Sequence, residues 1–144
     1  MSVTPFSPEL RDAPFPMPSS VPDGLHLELS RAQIKPGKEA EAHEWMAELN
    51  RREAECVATL ARERTPFQAA FFHRESDGSL WLYYLTLMGK DAPEFDAEAS
   101  DIDKTHADYG LRVKIPGWEE LQPMLMLTPK HIRRQFERFG RHGR

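Results

Sequence analysis

The chain has 144 residues, 40% of them apolar and 29% charged, which fits one ordinary globular domain with room for a sizeable core. A net charge of -4 argues against a molecule built as a whole to attract nucleic acid or an anionic membrane, and a single cysteine, Cys56, excludes an intrachain disulfide and a cysteine-based zinc cluster. No apolar run approaches the ~20 residues that cross a bilayer, and no basic stretch leads into an apolar one at the N-terminus, so a cytoplasmic protein without membrane contact is expected.

Residues 1–24 read as a proline-rich arm holding Pro5, Pro8, Pro14, Pro16, Pro18 and Pro22, half of the chain's 12 prolines. Proline removes amide donors and disfavours helix in the residue before it. Phe6, Phe15 and Met17 are unusual in a solvated linker, so the arm is either a flexible tail or lies across the domain or a partner. A domain is expected over residues 25–128. Leu25, Leu27 and Leu29 alternate with His26, Glu28 and Ser30, the period of a half-buried strand that runs to Ile34 and stops at Pro36-Gly37. One long helix is expected from about Lys38 to Arg64, with Ala42, Trp45, Met46, Leu49, Cys56, Val57 and Leu60 on its apolar stripe.

Phe67 to Arg74 and Ser79 to Met88 read as two strands of a hairpin joined at Ser76-Asp77-Gly78. Both of its faces are apolar: Leu80, Leu82 and Tyr84 point one way, Trp81, Tyr83, Leu85 and Leu87 the other, and Phe71 and Phe72 part likewise. Such strands need cover on both sides. The long helix supplies one cover, and a second copy of the chain is the economical source of the other. Pro93 to Tyr109 reads as an acidic helical segment and Gly110 to Gln122 as irregular. Met124-Leu125-Met126-Leu127 reads as the fourth strand. Thr128 has the character of an N-cap with Pro129 at the first helical position, and residues 129–144 form a basic closing helix and tail with Ile132, Phe136 and Phe139 on its stripe. From Lys130 onward six Lys and Arg face Glu137 alone. That helix docks on the acidic body of its own chain or on a second subunit, or it meets nucleic acid or an acidic partner; self-docking is the simpler reading, and nucleic acid is not the expected partner.

The order strand, long helix, hairpin, helix, strand is the ferredoxin-like βαββαβ plan, an α+β class with an antiparallel sheet and helices on one face, here with an extra C-terminal helix. With two apolar sheet faces it resembles the dimeric α+β barrel superfamily, and Lys35-Pro36-Gly37-Lys38 resembles the strand-to-helix corner of many members. Leu49 to Glu55, Ala58-Thr59-Leu60, Ala70-Phe71-Phe72 and Leu82-Tyr83-Tyr84 are similar to a bacterial family of domains of unknown function. That resemblance covers about Leu25 to Asp108. It implies a homodimer packed sheet to sheet and carries no established activity; superfamily relatives include cofactor-free monooxygenases, haem-binding or haem-degrading enzymes and structural members.

Glu53 falls near the middle of the helical stripe with Arg52 beside it. A carboxylate there is either a proton acceptor or ligand contact facing a cavity, or half of a structural ion pair. Glu55 projects to the outer face. Asp101, Asp103 and His106 place two carboxylates and an imidazole within six residues, yet the spacing matches no metal motif, and no metal or cofactor is expected. His73 ends the second strand, where it either faces the cavity with Phe71 or is a surface polar residue. Trp81, Tyr83 and Tyr84 are core or interface residues, with the tyrosines also able to offer a hydroxyl to an aromatic ligand. Cys56 reads as an inert thiol. The ligand-contact set is thus Arg52, Glu53, Phe71, Tyr83 and Tyr84, and the groups for proton transfer are Glu53, His106, His73 and Tyr84. No phosphate loop, dinucleotide fingerprint, HExxH or nucleophile elbow is present. The expected function is a dimer that binds a small apolar or aromatic ligand between helices and sheet. The alternatives are a cofactor-independent monooxygenase-like enzyme and a binder of nucleic acid or acidic partners through the C-terminal helix.

Overall fold

The first strand forms as its alternation requires: β1 spans Leu25–Gln33 in the computed structural model of the chain, which describes residues 6–8 and 13–140. Pro5 of the arm and Arg141 and Arg144 of the basic tail lie outside the described residues. After β1 come α1 (Glu39–Arg51), α2 (Glu53–Arg62), β2 (Phe67–Arg74), β3 (Leu80–Gly89), α3 (Asp101–Val113), β4 (Glu119–Leu121) and α4 (Lys130–Glu137), which runs into a 3-10 turn at Arg138–Gly140. The sheet order is β2-β3-β1-β4 with every neighbour antiparallel. This is the ferredoxin-like plan with an added C-terminal helix. Among the described residues no helix is long and apolar enough to cross a membrane.

Three expected elements differ. The long helix is broken at Arg52, whose backbone N–H is shared between the carbonyls of Glu48 and Leu49 and whose φ of -108° and ψ of 35° lie outside the helical range. The helix after the hairpin starts only at Asp101, where the Ser100 hydroxyl accepts from the Asp103 N–H, and it runs through Gly110 to Val113. The fourth strand is Glu119–Leu121 rather than Met124–Leu127. It pairs with Leu29, Ser30 and Arg31, and the Arg31 guanidinium lies 2.5 Å from the Glu119 carboxylate across the pair. A cross-strand ion pair thus accompanies the pairing, and the apolar run beyond Pro123 is left largely in solvent, Leu125 being 63% exposed. Thr128 caps nothing; Pro129 holds the N-cap position of α4.

Strand alternation divides the core in two. The even-numbered residues of β1 and β3 face the helices, where Ile34, Leu80 and Leu82 pack with Ala42 and Trp45 of α1 and Val113 of α3. Trp45, 1% exposed, stacks on Tyr109 at 6.3 Å between ring centres. The odd-numbered residues face the other way, where Leu25 and Leu87 are covered by Met17 and Val21 of the arm, Met126, and Phe136 and Phe139 of the C-terminal segment. The chain itself thus supplies cover expected from a second copy, at the Leu25 end of the sheet. Phe67 and Phe71, further along the same face, stay exposed, Phe71 at 55%.

The arm and the C-terminal helix hold each other in place through Ser20. Its hydroxyl accepts from the Met126 N–H at 3.0 Å and its carbonyl from Arg133 at 2.7 Å. Where the C-terminal turn closes on the start of β1, Gly24 has a φ of +82° and a Cβ built on it would lie 2.4 Å from the Gly140 carbonyl oxygen. Gly37 has a similar φ, +86°, with nothing within 4 Å of its missing Cβ. Gly37→Ala is expected to cost about 1 kcal/mol from the backbone alone, and Gly24→Ala distinctly more, because the terminal turn must also move. Urea denaturation of the two variants checks this; equal losses would mean that the turn is not seated on Gly24 in solution.

Candidate functional site

On the helix-facing side of the sheet the apolar pattern stops halfway along β1. Ile34 and Ala32 are followed towards the N-terminus by Ser30, Glu28 and His26, and in register with them β3 offers Tyr84, Thr86 and Met88. These polar side chains sit where a ferredoxin-like core is ordinarily apolar, and α2 buries none of its residues over them. A cavity of about 560 Å³ results, floored by Glu28, Ser30, Tyr84 and Thr86 and walled by α3 and the 92–95 loop. A volume of that order suits a small organic ligand.

Aromatic rings gather around one imidazole. His106 on α3 lies 5.2 Å from Trp45, 6.0 Å from Tyr84 and 5.9 Å from Phe95, centre to centre, and Trp118 meets Tyr84 edge-on at 5.7 Å. The Trp45 indole N–H donates to His106 Nδ1 at 3.1 Å. Nδ1 is thereby the acceptor nitrogen, so the neutral ring carries its proton on Nε2 and donates from there. Burial lowers the His106 pKa, with the Asp103 carboxylate acting weakly in the other direction. Burial also raises the Tyr84 hydroxyl above its usual value. That hydroxyl, on a half-buried ring, borders the cavity with no hydrogen-bond partner among the described residues. At the far wall the Lys114 ammonium donates to the carbonyls of Ile115 (3.0 Å) and Gly117 (2.9 Å) and stands 4.6 Å from the Trp118 ring centre. Burial first and the neighbouring Lys35 charge second bring it down to about 8.

The residues singled out in sequence do not assemble into one site. Tyr84 and His106 meet in this cavity. Arg52 sits at the α1–α2 break, where it binds Glu55, Asp101 and the Thr105 hydroxyl and so ties α2 to α3. Glu55 rather than Glu53 is its first partner, and this holds the Glu55 carboxyl below its usual range. Glu53 is exposed, because the break at Arg52 rotates α2 relative to the stripe counted along one straight helix. With Phe71, Glu53 borders a separate open groove between α2 and β2. Phe71, His73 and Tyr83 are odd-numbered and face away from the helices. His73 is exposed, 4.0 Å from Glu75, and Tyr83 accepts from Arg31 at 3.3 Å.

The acidic pair of α3 is also divided. Asp103, 4% exposed, accepts from Arg62 (3.0 Å) and from its own cap Ser100 (2.5 Å), while Asp101 pairs with Arg52. Among the described residues no three His, Cys, Asp or Glu side chains converge as a metal site. Cys56 is half-buried with its thiol pushed up by burial, in keeping with an unreactive sulfur. Sequence reasoning passed over Glu28, Ser30, Thr86, Phe95, Lys114 and Trp118. The polar half of the β1 alternation held the available signal, and it reads as a water-facing edge when the other half is leucine.

The model of a family described as "Family of unknown function (DUF6176)" matches residues 25–134, and the chain belongs to that family. The match begins with β1 and ends within α4, so it takes in every lining residue of the cavity and leaves out the arm. A search of curated proteins finds no match.

Because the folded state disfavours protonated His106, the unfolded chain binds that proton more readily. Stability is therefore expected to fall as pH drops below about 6.5, with a slope for this one group of at most ~1.4 kcal/mol per pH unit. His106→Leu is expected to lower stability at pH 7.5 by ~1–3 kcal/mol, since the Trp45 N–H loses its acceptor, and to flatten the acid dependence. Urea titrations of both proteins from pH 7.5 to 5 give the comparison; parallel curves would contradict a neutral, buried His106.

Proposed function

We propose that the protein binds a small aromatic molecule in the cavity between the sheet and α3. One observation carries this reading: Trp45, Tyr84, Phe95 and Trp118 line a cavity of about 560 Å³ onto which the hydroxyl of half-buried Tyr84, without a partner among the described residues, opens. Ring faces and edges supply apolar area and offset-stacking geometry for a planar ligand. The Tyr84 hydroxyl and the His106 Nε2–H supply the few directional contacts that orient it.

A second reading is a cofactor-independent, monooxygenase-like enzyme, supported by the presence of Tyr84 and His106 on one cavity. The imidazole would serve such chemistry as a hydrogen-bond donor to a substrate oxygen, since accepting a proton at Nδ1 requires giving up the Trp45 bond. Oxygen uptake with a naphthohydroquinone, lost in His106→Leu, is the result that would favour it over binding alone.

We also propose that two copies associate through the uncovered part of the outer sheet face. Phe67, Phe71 and Leu121 support this, being exposed apolar residues that natural monomers tend to avoid clustering. Sedimentation velocity is expected to give a dimer for the wild type and a monomer for Phe71→Glu; a wild-type monomer would end this reading.

For the binding site, 1-naphthol is the probe. Saturable quenching of tryptophan fluorescence is expected, because Trp45 and Trp118 both line the cavity. Tyr84→Phe should weaken binding about five-fold, the loss of one ordinary hydrogen bond of ~1 kcal/mol. Linear, non-saturating quenching in the wild type would remove the reading.

A further inference from the structure

The cavity carries an uncompensated negative charge. Glu28 reaches it from the middle of β1, half-buried, and its hydrogen-bond partner is the Ser30 hydroxyl at 3.2 Å. Among the described residues no lysine, arginine or histidine lies within ion-pair distance of it. A carboxylate set part-way into a protein without a counter-charge is held at a cost that an incoming cation relieves. Glu63 and Glu94 add two more carboxylates to the lining, and of these Glu63 is matched by Arg62 at 3.4 Å.

The basic groups on the cavity do not balance Glu28. Lys114 gives two of its three hydrogens to backbone carbonyls and stands over the face of Trp118, and no ion pair joins it to Glu28. His106 is neutral. The walls themselves favour positive charge, since the faces of Trp, Tyr and Phe attract cations, and Lys114 over Trp118 is an instance inside this very cavity. Tyr84, its hydroxyl without a partner, is free to accept a hydrogen bond from an ammonium.

We propose that the cavity selects aromatic ligands that carry a positively charged amine, with Glu28 as the counter-charge that recognises it. This rests on the reading of the cavity as an aromatic-ligand site. The amine lies against the polar floor of β1 and β3, while the ring lies among Trp45, Phe95 and Trp118. A carboxylate-bearing ligand of the same shape meets Glu28 as a like charge and is rejected.

Three probes of one shape test it by isothermal calorimetry: 2-(1-naphthyl)ethylamine, 2-(1-naphthyl)ethanol and 3-(1-naphthyl)propionate. The amine is expected to bind about ten-fold more tightly than the alcohol, and the acid most weakly. Glu28→Gln should erase the amine's advantage and leave the alcohol's affinity within about two-fold, while Glu44→Gln on the exposed face of α1 should change nothing. Should Glu28→Gln fail to fold, the order of the three probes on the wild type decides alone. Binding of the alcohol without preference for the amine, or a preference that survives in Glu28→Gln, overturns the charge assignment and leaves the aromatic cavity standing. Failure of all three to bind at millimolar concentration overturns both.

Discussion

The fold is organised by the need to cover both faces of β3. This strand lies between β1 and β2 and carries bulky side chains in both directions from Leu80 to Met88. Each fully buried leucine contributes ~1.5–3 kcal/mol only if something apolar covers it. On one side α1 and α3 provide that cover through Ala42, Trp45 and Val113. On the other the chain brings both of its ends back, laying Met17 and Val21 beside Phe136 and Phe139 over Leu25 and Leu87. The arm and the C-terminal helix are therefore parts of one layer, joined at Ser20, rather than separate appendages to the domain.

The same constraint explains where the cavity lies. α1 and α3 pack over the Ile34 end of the sheet, where β1 and β3 are apolar. At the other end the helix-facing positions turn polar, and a helix would have to bury Glu28, Ser30 and Thr86 to continue the layer. Instead the arginine at the α1–α2 break ties α2 sideways to α3, through Asp101 and Thr105. Arg62 does the same through Asp103. The polar groups are left facing a cavity with aromatic walls.

Within that void one hydrogen bond does two things. Trp45 donates to His106, which satisfies a buried indole N–H and also sets which imidazole nitrogen faces the cavity. Lys114 is tied to two carbonyls in the same way. Glu28, Tyr84 and the Nε2–H of His106 keep bonding capacity towards the cavity, and they differ in kind: a carboxylate, a hydroxyl that accepts or donates, and a donor.

Much of the architecture was legible in the residues. The βαββαβ order, the opposite faces of Tyr83 and Tyr84 and the two-sided demand of the hairpin follow from local periodicity, and the self-docking reading of the C-terminal helix from its basic charge against the acidic remainder of the chain. The site was less legible, for reasons that can be named. Counting 100° per residue through Arg52 put Glu53 on the apolar stripe; the break in the helix at Arg52 moved it into solvent. Hydrophobicity pointed to Met124–Leu127 as a strand, whereas the residues that pair with β1 are Glu119–Leu121, with Glu119 against Arg31. Alternation in β1 showed that one face is leucine and the other polar, but either face of a strand can be turned towards the helices. Only the tertiary structure decided that the leucines face the chain's own termini and that Glu28 and Ser30 face the cavity, because that choice depends on contacts among residues distant in sequence, which no local pattern encodes.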